Sequence, residues 1–246
     1  MEIKDKVALI TGTRRIGSVV ALELARRGAD VVLGYNRSQE EAEAAATQIR
    51  TLGRRAMSIQ ADVSKIAEVQ NLVGRVISEF GRIDVLVNMA SIYRSKPFSE
   101  TTEKDWDANI AVNLKSVFLC AQIVAPIMRA NGGGRIINFA DWIAASGRPR
   151  YKGFVPYYVS KAGVVGLTES LALELASDQI LVNAIAPGPI LAPPDLTEEE
   201  DLEVRKATPL GRWGGEVEIA KAVVSLVETD FITGECIRVD GGRHVH

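Results

Sequence analysis

Residues Val7 to Gly17 read VALITGTRRIG, an apolar run that ends in a turn containing glycine. Val7 to Ile10 form the kind of uninterrupted apolar run that is typical of a strand buried on both faces. A helical pattern follows from Ser18 to Arg27, so the segment predicts a strand, a tight turn and a helix. The start of such a helix offers unpaired N–H groups and a positive dipole end, which suit phosphates. The pattern Gly-x-Gly-x-x-Gly is absent, so a plain strand-to-helix turn is the alternative interpretation.

The same alternation continues along the chain. Further strands are predicted at residues 30–33, 56–60, 83–87, 135–139, 180–186 and 236–239, and further helices at 40–52, 69–80, 105–129, 157–175 and 216–227. Continuously apolar strands separated by helices indicate a parallel sheet that is covered on both faces. No linker or repeat divides residues 1–246. We therefore expect a single-domain α/β protein with a Rossmann fold, a doubly wound parallel sheet of seven strands and a ligand crevice at the strand carboxyl ends.

The composition excludes several classes of partner. The chain has 246 residues, of which 47% are hydrophobic and 24% charged, and its formal net charge is −2. This charge offers no positive field that would collect nucleic acid or an acidic membrane surface. Cys120 and Cys236 lie far apart in sequence and match no metal-ligand spacing, so we expect reduced thiols and no metal.

The amino terminus predicts no targeting segment. Residues Met1 to Lys6 lead directly into the first strand, which leaves no room for a signal peptide. No apolar run is expected to approach the ~20 residues of a membrane span. We therefore expect a cytoplasmic protein with no membrane partner.

The region after the second strand indicates which nicotinamide cofactor is used. It reads Gly34-Tyr35-Asn36-Arg37-Ser38, with no acid to hold a ribose 2′-hydroxyl. Arg37 offers a planar fork to a 2′-phosphate, Ser38 offers a hydroxyl, and Arg14 could add a second positive charge. The pattern favours NADP(H) over NAD(H), the alternative being that these arginines are solvated loop residues.

A tyrosine and a lysine four residues apart suggest acid–base chemistry. Tyr157 and Lys161 open a predicted helix, where this spacing places both side chains on one face. A tyrosine ordinarily titrates near pH ~10, and a neighbouring ammonium is expected to lower its pKa into a useful range. The bare spacing is common, so its weight depends on the surrounding sequence.

The chain resembles the short-chain dehydrogenase/reductase family over essentially its whole length. The matching segments are Thr11-Gly12 to Gly17, Ala61 to Val63, Val87 to Ala90, Asn113, Tyr157 to Lys161, Asn183 to Gly188 and Val239 to Gly242. In that family the tyrosine exchanges the proton, the lysine binds the nicotinamide ribose, and the asparagine holds a water in the proton relay. The resemblance thus implies catalytic roles for Tyr157, Lys161 and Asn113.

The resemblance, together with the turn after the first strand and the region after the second strand, gives a full set of expected cofactor contacts. Asp62 and Val63 would flank the adenine, Asn88 the ribose, and Pro187 with its neighbours the nicotinamide. The expected contacts to NADPH or NADP+ are Gly12, Arg14, Arg15, Ile16, Gly17, Asn36, Arg37, Ser38, Asp62, Val63, Asn88, Ala90, Tyr157, Lys161, Pro187, Gly188 and Ile190.

Several positions depart from the family pattern. The glycine turn is shorter than usual and has Arg15 in place of its middle glycine, and Asp141 stands where the family has its catalytic serine. The loop from Asp141 to Tyr157 is longer than in most relatives. Leu191 to Pro194 replace the usual threonine-containing segment, at the start of an expected substrate lid over residues 190–212.

These departures resemble pteridine reductases within the family. Tyr93 would stack on the pterin ring, Asp141 would orient it or relay a proton, and Arg15 would contact ligand and phosphate. Each has a plainer alternative: Tyr93 as a loop anchor, Asp141 as a helix cap and Arg15 as a phosphate contact only. Trp213 is the remaining candidate substrate contact, with a core position as its alternative.

Three functional hypotheses follow, of which two are reductases of this family and one is not an enzyme. We expect an NADPH-dependent reductase of a C=N or C=O bond, with a pteridine-like small molecule favoured. The alternative is a reductase of 3-oxoacyl thioesters on acyl carrier protein, or of other ketones. A non-catalytic NADP-binding regulator is the remote alternative. The resemblance also implies a homotetramer.

Overall fold

Seven strands form one parallel sheet, in the order β3-β2-β1-β4-β5-β6-β7, in the computed structural model, which describes residues 1–245. The strands are β1 Val7–Thr11, β2 Asp30–Tyr35, β3 Ala56–Gln60, β4 Val85–Asn88, β5 Gly134–Phe139, β6 Ile180–Pro187 and β7 Cys236–Val239. The strand order reverses between β1 and β4, as in a doubly wound Rossmann sheet. The predicted fold class is confirmed.

Helices connect the strands and cover both faces of the sheet. They are α1 Ile16–Arg26, α2 Gln39–Thr51, α3 Ile66–Phe80, α4 Glu103–Asn109, α5 Ser116–Ala130, α6 Trp142–Ala145, α7 Val155–Leu175, α8 Glu198–Lys206 and α9 Glu216–Glu228. A π-helical segment, Ile110–Lys115, joins α4 to α5. The single helix predicted over residues 105–129 is therefore two α-helices with a wider turn between them.

The alternation of side chains along β1 explains the two cores. Ala8 and Ile10 point into a cluster shared with α1, α2 and α9, whereas Val7 and Leu9 point into a cluster shared with α3, α5 and α7. Successive residues of a strand face opposite sides, so an uninterrupted apolar strand serves both clusters at once. This double burial fixes the positions of the strand carboxyl ends.

The helical run Glu103–Ala130 has the length and hydropathy of a membrane span, with a mean hydropathy of 1.7 in its most apolar window. The expectation that no apolar run approaches that length is therefore wrong on length and composition. Buried side chains of α5, among them Val124 and Met128, belong to the core cluster shared with α3. The run thus serves as a core helix of the α/β fold. Cys120 and Cys236 are free thiols, as expected.

Candidate active site

Tyr157 and Asp141 meet at the carboxyl edge of the sheet. Asp141 lies two residues after the end of β5, and Tyr157 lies in the first turn of α7, whose early Pro156 suits a helix start. The Tyr157 hydroxyl donates a 2.8 Å hydrogen bond to Oδ2 of Asp141. The other carboxylate oxygen accepts the backbone N–H of Ile143 at 2.9 Å and so caps α6. Asp141 is therefore both a helix cap and the direct partner of the candidate catalytic tyrosine.

Lys161 lies one helical turn after Tyr157 and is buried beside it. Its Nζ is 5.9 Å from the centre of the Tyr157 ring and donates a 2.7 Å hydrogen bond to the carbonyl of Phe139. Burial lowers the pKa of Lys161 to about 8. The spacing of four residues has placed both side chains on one helix face, as predicted from the sequence.

The protonation of the tyrosine differs from the sequence expectation. Burial raises the pKa of Tyr157 well above its usual value, and the neighbouring Asp141 carboxylate raises it further. The expected lowering of this pKa by Lys161 is not met, because burial and the Asp141 carboxylate both raise the pKa. Burial also raises the pKa of Asp141, although the hydrogen bonds from Ile143 and Tyr157 oppose that shift. Tyr157 is consequently held in its protonated form, which suits a proton donor.

Asn113 lies in the π-helical segment, where its side chain is fully engaged. Its Oδ1 accepts the backbone N–H of Ile92 at 2.8 Å and the hydroxyl of Ser91 at 3.2 Å. Its Nδ2 donates to the Ile92 carbonyl and to the hydroxyl of Ser160, each at 3.1 Å. The side chain therefore ties the loop after β4 to α7. A water in a proton relay would have to bind a backbone group of this segment instead.

An aromatic cavity of about 180 Å³ opens next to Tyr157, and Asp141 and Lys161 also line it. Tyr93 stacks on Phe154, with ring centres 4.6 Å apart and an interplanar angle of 19°. The edge of Tyr157 meets Tyr93 at 4.8 Å and 78°. Tyr93 thus lies beside the candidate catalytic residues, and its stacking on Phe154 also anchors the loop after β4 to the loop between α6 and α7.

Sequence reasoning missed Phe154 and Tyr151, which line the same cavity. Both belong to the loop between α6 and α7, and that loop is longer than the family pattern requires. Aromatic residues within such an added segment, a few positions before Tyr157, were the available signal.

The turn after β1 has the close contacts that a dinucleotide-binding turn requires. Gly12 has a φ of +84°, and a Cβ there would lie 2.6 Å from the backbone nitrogen of Ala90. A Cβ at Gly17 would collide with the carbonyl oxygen of Gly12. No side chain caps the start of α1, which begins at Ile16, so the helix end remains available to phosphates. These residues fit a bound dinucleotide.

Arg15 reaches from this turn to the opposite segment. It is a non-glycine residue with a φ of +55°, and its Nη2 donates a 3.2 Å hydrogen bond to the carbonyl of Ala192. The segment after β6, which is the expected substrate lid, is therefore tied to the turn after β1. Arg15 does not line the aromatic cavity, so its predicted contact with substrate stays a prediction.

The two arginines proposed for a 2′-phosphate lie in different surroundings. Arg14 is paired at 3.8 Å with Glu41. Arg37 is exposed and, within residues 1–245, makes no hydrogen bond or ion pair. Ser38 lies next to it, and its hydroxyl is 3.4 Å from that of Thr13 in the phosphate turn. Asn36 uses its carbonyl to accept a hydrogen bond from the Gln60 side chain at 3.0 Å. Arg37 is therefore the better-placed cation of the two.

The remaining candidates for contact with the adenosine part of the cofactor lie after β3 and at the end of β4. Asp62 accepts hydrogen bonds from Ser64, and Val63 is buried. Asn88 donates a 3.0 Å hydrogen bond to Asn138, while its own Oδ1 is buried with no partner among the described residues. A buried acceptor without a partner is costly, and a ligand hydroxyl or a water would satisfy it.

The candidates after β6 surround the other end of the crevice. Pro187 ends β6, and a Cβ at Gly188 would lie 2.5 Å from the Cβ of Asp240. Ile190 is buried in the core cluster shared with α9. Trp213 does not line the aromatic cavity. Its indole N–H instead donates a 2.6 Å hydrogen bond to Asp201 and so holds α8. No cluster of potential metal ligands occurs within the described residues.

A parallel Rossmann sheet with a paired tyrosine and lysine at its carboxyl edge defines a class, the nicotinamide-dependent oxidoreductases. A family model described as enoyl-(acyl carrier protein) reductase matches residues 10–244. The chain belongs to the short-chain dehydrogenase/reductase family.

Individual relatives match along almost the whole chain. A 3-oxoacyl-[acyl-carrier-protein] reductase of Staphylococcus epidermidis is 40% identical over 98% of this chain and 100% of its own. The solved short-chain dehydrogenase/reductase of Serratia marcescens is 35% identical, with a TM-score of 0.92 over 99% of this chain and 100% of its own. A blue fluorescent protein from a metagenomic library, solved with NADPH, is 33% identical, with a TM-score of 0.90 over 99% of each chain. The chain is thus similar to oxidoreductases over its full length.

Proposed function

We propose that the chain is an NADPH-dependent reductase of ketones, with 3-oxoacyl thioesters as the favoured substrate class. The observation that most supports this is the buried group of Tyr157, Lys161 and Asp141 on the wall of one cavity at the sheet edge. The relative from S. epidermidis is named for 3-oxoacyl reduction and is matched along its whole length. That name favours the ketone alternative over the pteridine preference, which no comparison supports.

In this proposal the chain's own residues manage the proton. NADPH held at the turn of Gly12 and Gly17 would supply the hydride that reduces the carbonyl carbon. Tyr157 donates its proton to the carbonyl oxygen, which yields an alcohol and leaves a phenolate. The ammonium of Lys161 stabilises that phenolate, because opposite charges within a few ångströms of each other favour the ionised form. Asp141 has to be neutral when the proton leaves, since a carboxylate would repel the phenolate.

NADPH oxidation with a small panel of substrates tests the reaction class. We expect faster oxidation with acetoacetyl thioester than with dihydrobiopterin or a crotonyl thioester, because only the first offers a ketone. Faster oxidation with dihydrobiopterin would restore the pteridine hypothesis. Faster oxidation with the crotonyl thioester would favour enoyl reduction, the activity for which the matching family model is named.

The preference for NADPH is proposed to depend on Arg37. Removing a charge-assisted hydrogen bond of this kind costs about tenfold or more in affinity. We expect Arg37→Ala to raise KM for NADPH by that factor and to leave KM for NADH unchanged. Arg26→Ala is the matched control, because Arg26 is exposed at the end of α1 and is paired with Glu23. Equal effects of the Arg37 substitution on both cofactors would contradict the assignment. The homotetramer, which the family resemblance implies, and the cytoplasmic location, which is expected from the amino terminus and the apolar runs, remain predictions.

A further inference from the structure

The loop between α6 and α7 builds an aromatic wall next to the candidate catalytic group. Phe154 and Tyr151 come from this loop, and Tyr93 comes from the loop after β4. The loop between α6 and α7 lies within the segment Asp141 to Tyr157, which the family resemblance implies is longer than in most relatives. Two separate loops thus build the wall beside the candidate catalytic group.

The arrangement of the rings leaves room for another aromatic ring. Tyr93 and Phe154 are nearly parallel, and both meet the Tyr157 ring at steep angles of 78° and 71°. Tyr93 remains 59% exposed despite these two contacts. A ligand ring can therefore extend the stack or meet these rings edge to face, which are the preferred geometries of aromatic pairs.

The rest of the cavity wall is suited to an apolar group. Ile143, Ala144 and Val155 line it, and the polar atoms of Asp141, Tyr157 and Lys161 lie together at the point where a carbonyl would be protonated. Arg150 also borders the cavity, with its guanidinium 5.3 Å from the centre of the Trp142 ring. A substrate that places its carbonyl at Tyr157 thus directs the adjoining group against the aromatic wall.

We propose that Phe154, together with Tyr93, selects ketones that have an aromatic ring attached to the reacting carbonyl. The inference rests on the proposed ketone reductase activity and adds the class of substituent to it. Phe154 is a specificity-determining residue in this account, because it contacts the substituent and not the reacting atoms.

A matched pair of ketones isolates the contribution of the ring. Ethyl benzoylacetate and its cyclohexyl analogue have the same carbon skeleton around the carbonyl and differ in planarity and π-electrons. We expect the wild-type kcat/KM to be about fivefold higher for the phenyl compound than for the cyclohexyl compound. This ratio corresponds to the energy of one aromatic pair. Phe154→Leu keeps an apolar side chain without the ring, so the ratio should fall towards one. Phe154→Tyr should retain it.

Phe98→Leu is the matched control, since Phe98 is 75% exposed and does not line the cavity. It should leave the ratio of the two ketones unchanged. An equal kcat/KM for both ketones in the wild type, or a ratio that survives Phe154→Leu, would overturn the proposal.

Binding measurements separate this proposal from the proposed reaction. Calorimetry on the protein saturated with NADP+ gives the dissociation constants of both ketones without any turnover. If neither ketone oxidises NADPH, the reductase assignment fails, and the ratio of dissociation constants then decides the aromatic proposal. A Phe154-dependent preference for the phenyl compound supports it, and equal dissociation constants refute it.

Discussion

Asp141 changes the chemistry of Tyr157, the proposed proton donor. A serine at this position would offer a neutral hydroxyl, whereas Asp141 places a carboxyl group 2.8 Å from the Tyr157 hydroxyl. Burial raises the pKa of both groups, and Asp141 adds to the shift at Tyr157. Two neighbouring groups that each resist ionisation keep at least one proton between them, which favours donation to a substrate.

The pH dependence of ketone reduction follows from this pair. Below the raised pKa of Asp141 the carboxyl is neutral, and Tyr157 can release its proton. Above that pKa the carboxylate opposes the phenolate, so kcat/KM should fall as the pH rises through it. The other groups facing Asp141 are Tyr93, whose pKa is raised to about 12, and Lys161, whose pKa is about 8. Loss of the Lys161 charge would add a second fall at higher pH.

Asp141→Ser removes the first of these transitions. We expect this variant to keep a constant kcat/KM for a ketone across the range in which the wild type declines, and to exceed it at neutral pH. A pH profile of NADPH oxidation for both proteins gives the answer. Superimposable profiles would show that Asp141 acts only as the cap of α6.

At the level of elements, the sequence predicted the strands better than the connections between them. β3 and β7 have the predicted bounds, although both are partly exposed edge strands, and the others differ by only a few residues. For the inner strands the reason is that an apolar run buried on both faces leaves few alternative bounds. Neither α6 nor α8 was predicted. α6 has only four residues and depends on the Asp141 cap, and α8 has no buried residue to produce an apolar period.

In the candidate site, too, local features were predictable from the sequence, and features that depend on tertiary contacts were not. The helical spacing of Tyr157 and Lys161 was sufficient to place them together, because it is local geometry. The stacking of Phe154 on Tyr93 was not predictable, since it depends on how two separate loops meet. The raised pKa of Tyr157 likewise depends on burial and on Asp141, which only the tertiary structure supplies.

The capping box of α8 gives a test of the lid. The Thr197 side chain accepts the backbone N–H of Glu200, whose carboxylate in turn accepts the backbone N–H of Thr197. Loss of such a cap costs about 1 kcal/mol of helix stability. Thr197→Ala should therefore accelerate amide hydrogen exchange within α8 and raise KM for the ketone.

The capping box of α4 provides the matched control. Thr102 caps α4 in the same way as Thr197 caps α8. Thr102→Ala should change exchange in α4 and leave α8 unaffected. Unaltered exchange in α8 after Thr197→Ala would show that other contacts, such as the Trp213 hydrogen bond to Asp201, hold the lid by themselves.

At the scale of the whole molecule, several large apolar side chains are left in contact with solvent. Leu173 on α7 is 85% exposed, and Phe118 on α5 is 42% exposed. Exposed apolar residues of this size on neighbouring long helices are a feature of association surfaces. We expect these two side chains to be covered in the homotetramer that the family resemblance implies.

A substitution that places a charge on α7 tests the expected homotetramer. The wild type should have four times the chain mass of 26.6 kDa in light scattering. Leu173→Glu should shift it to a smaller assembly, because a carboxylate is costly to bury at an apolar contact. Leu52→Glu, at the end of α2, is the control and should have the same mass in light scattering as the wild type. A monomeric wild type would refute the prediction.

Single-turnover NADPH oxidation by Tyr157→Phe is the most direct test of the whole account. Loss of a positioned acid costs about 10²–10⁴ in rate, while the turn at Gly12 and Gly17 that would hold the cofactor is untouched. We predict unchanged NADPH affinity by fluorescence and at least a hundredfold slower NADPH oxidation with acetoacetyl thioester, about the lower end of that range. An unaltered rate would contradict it.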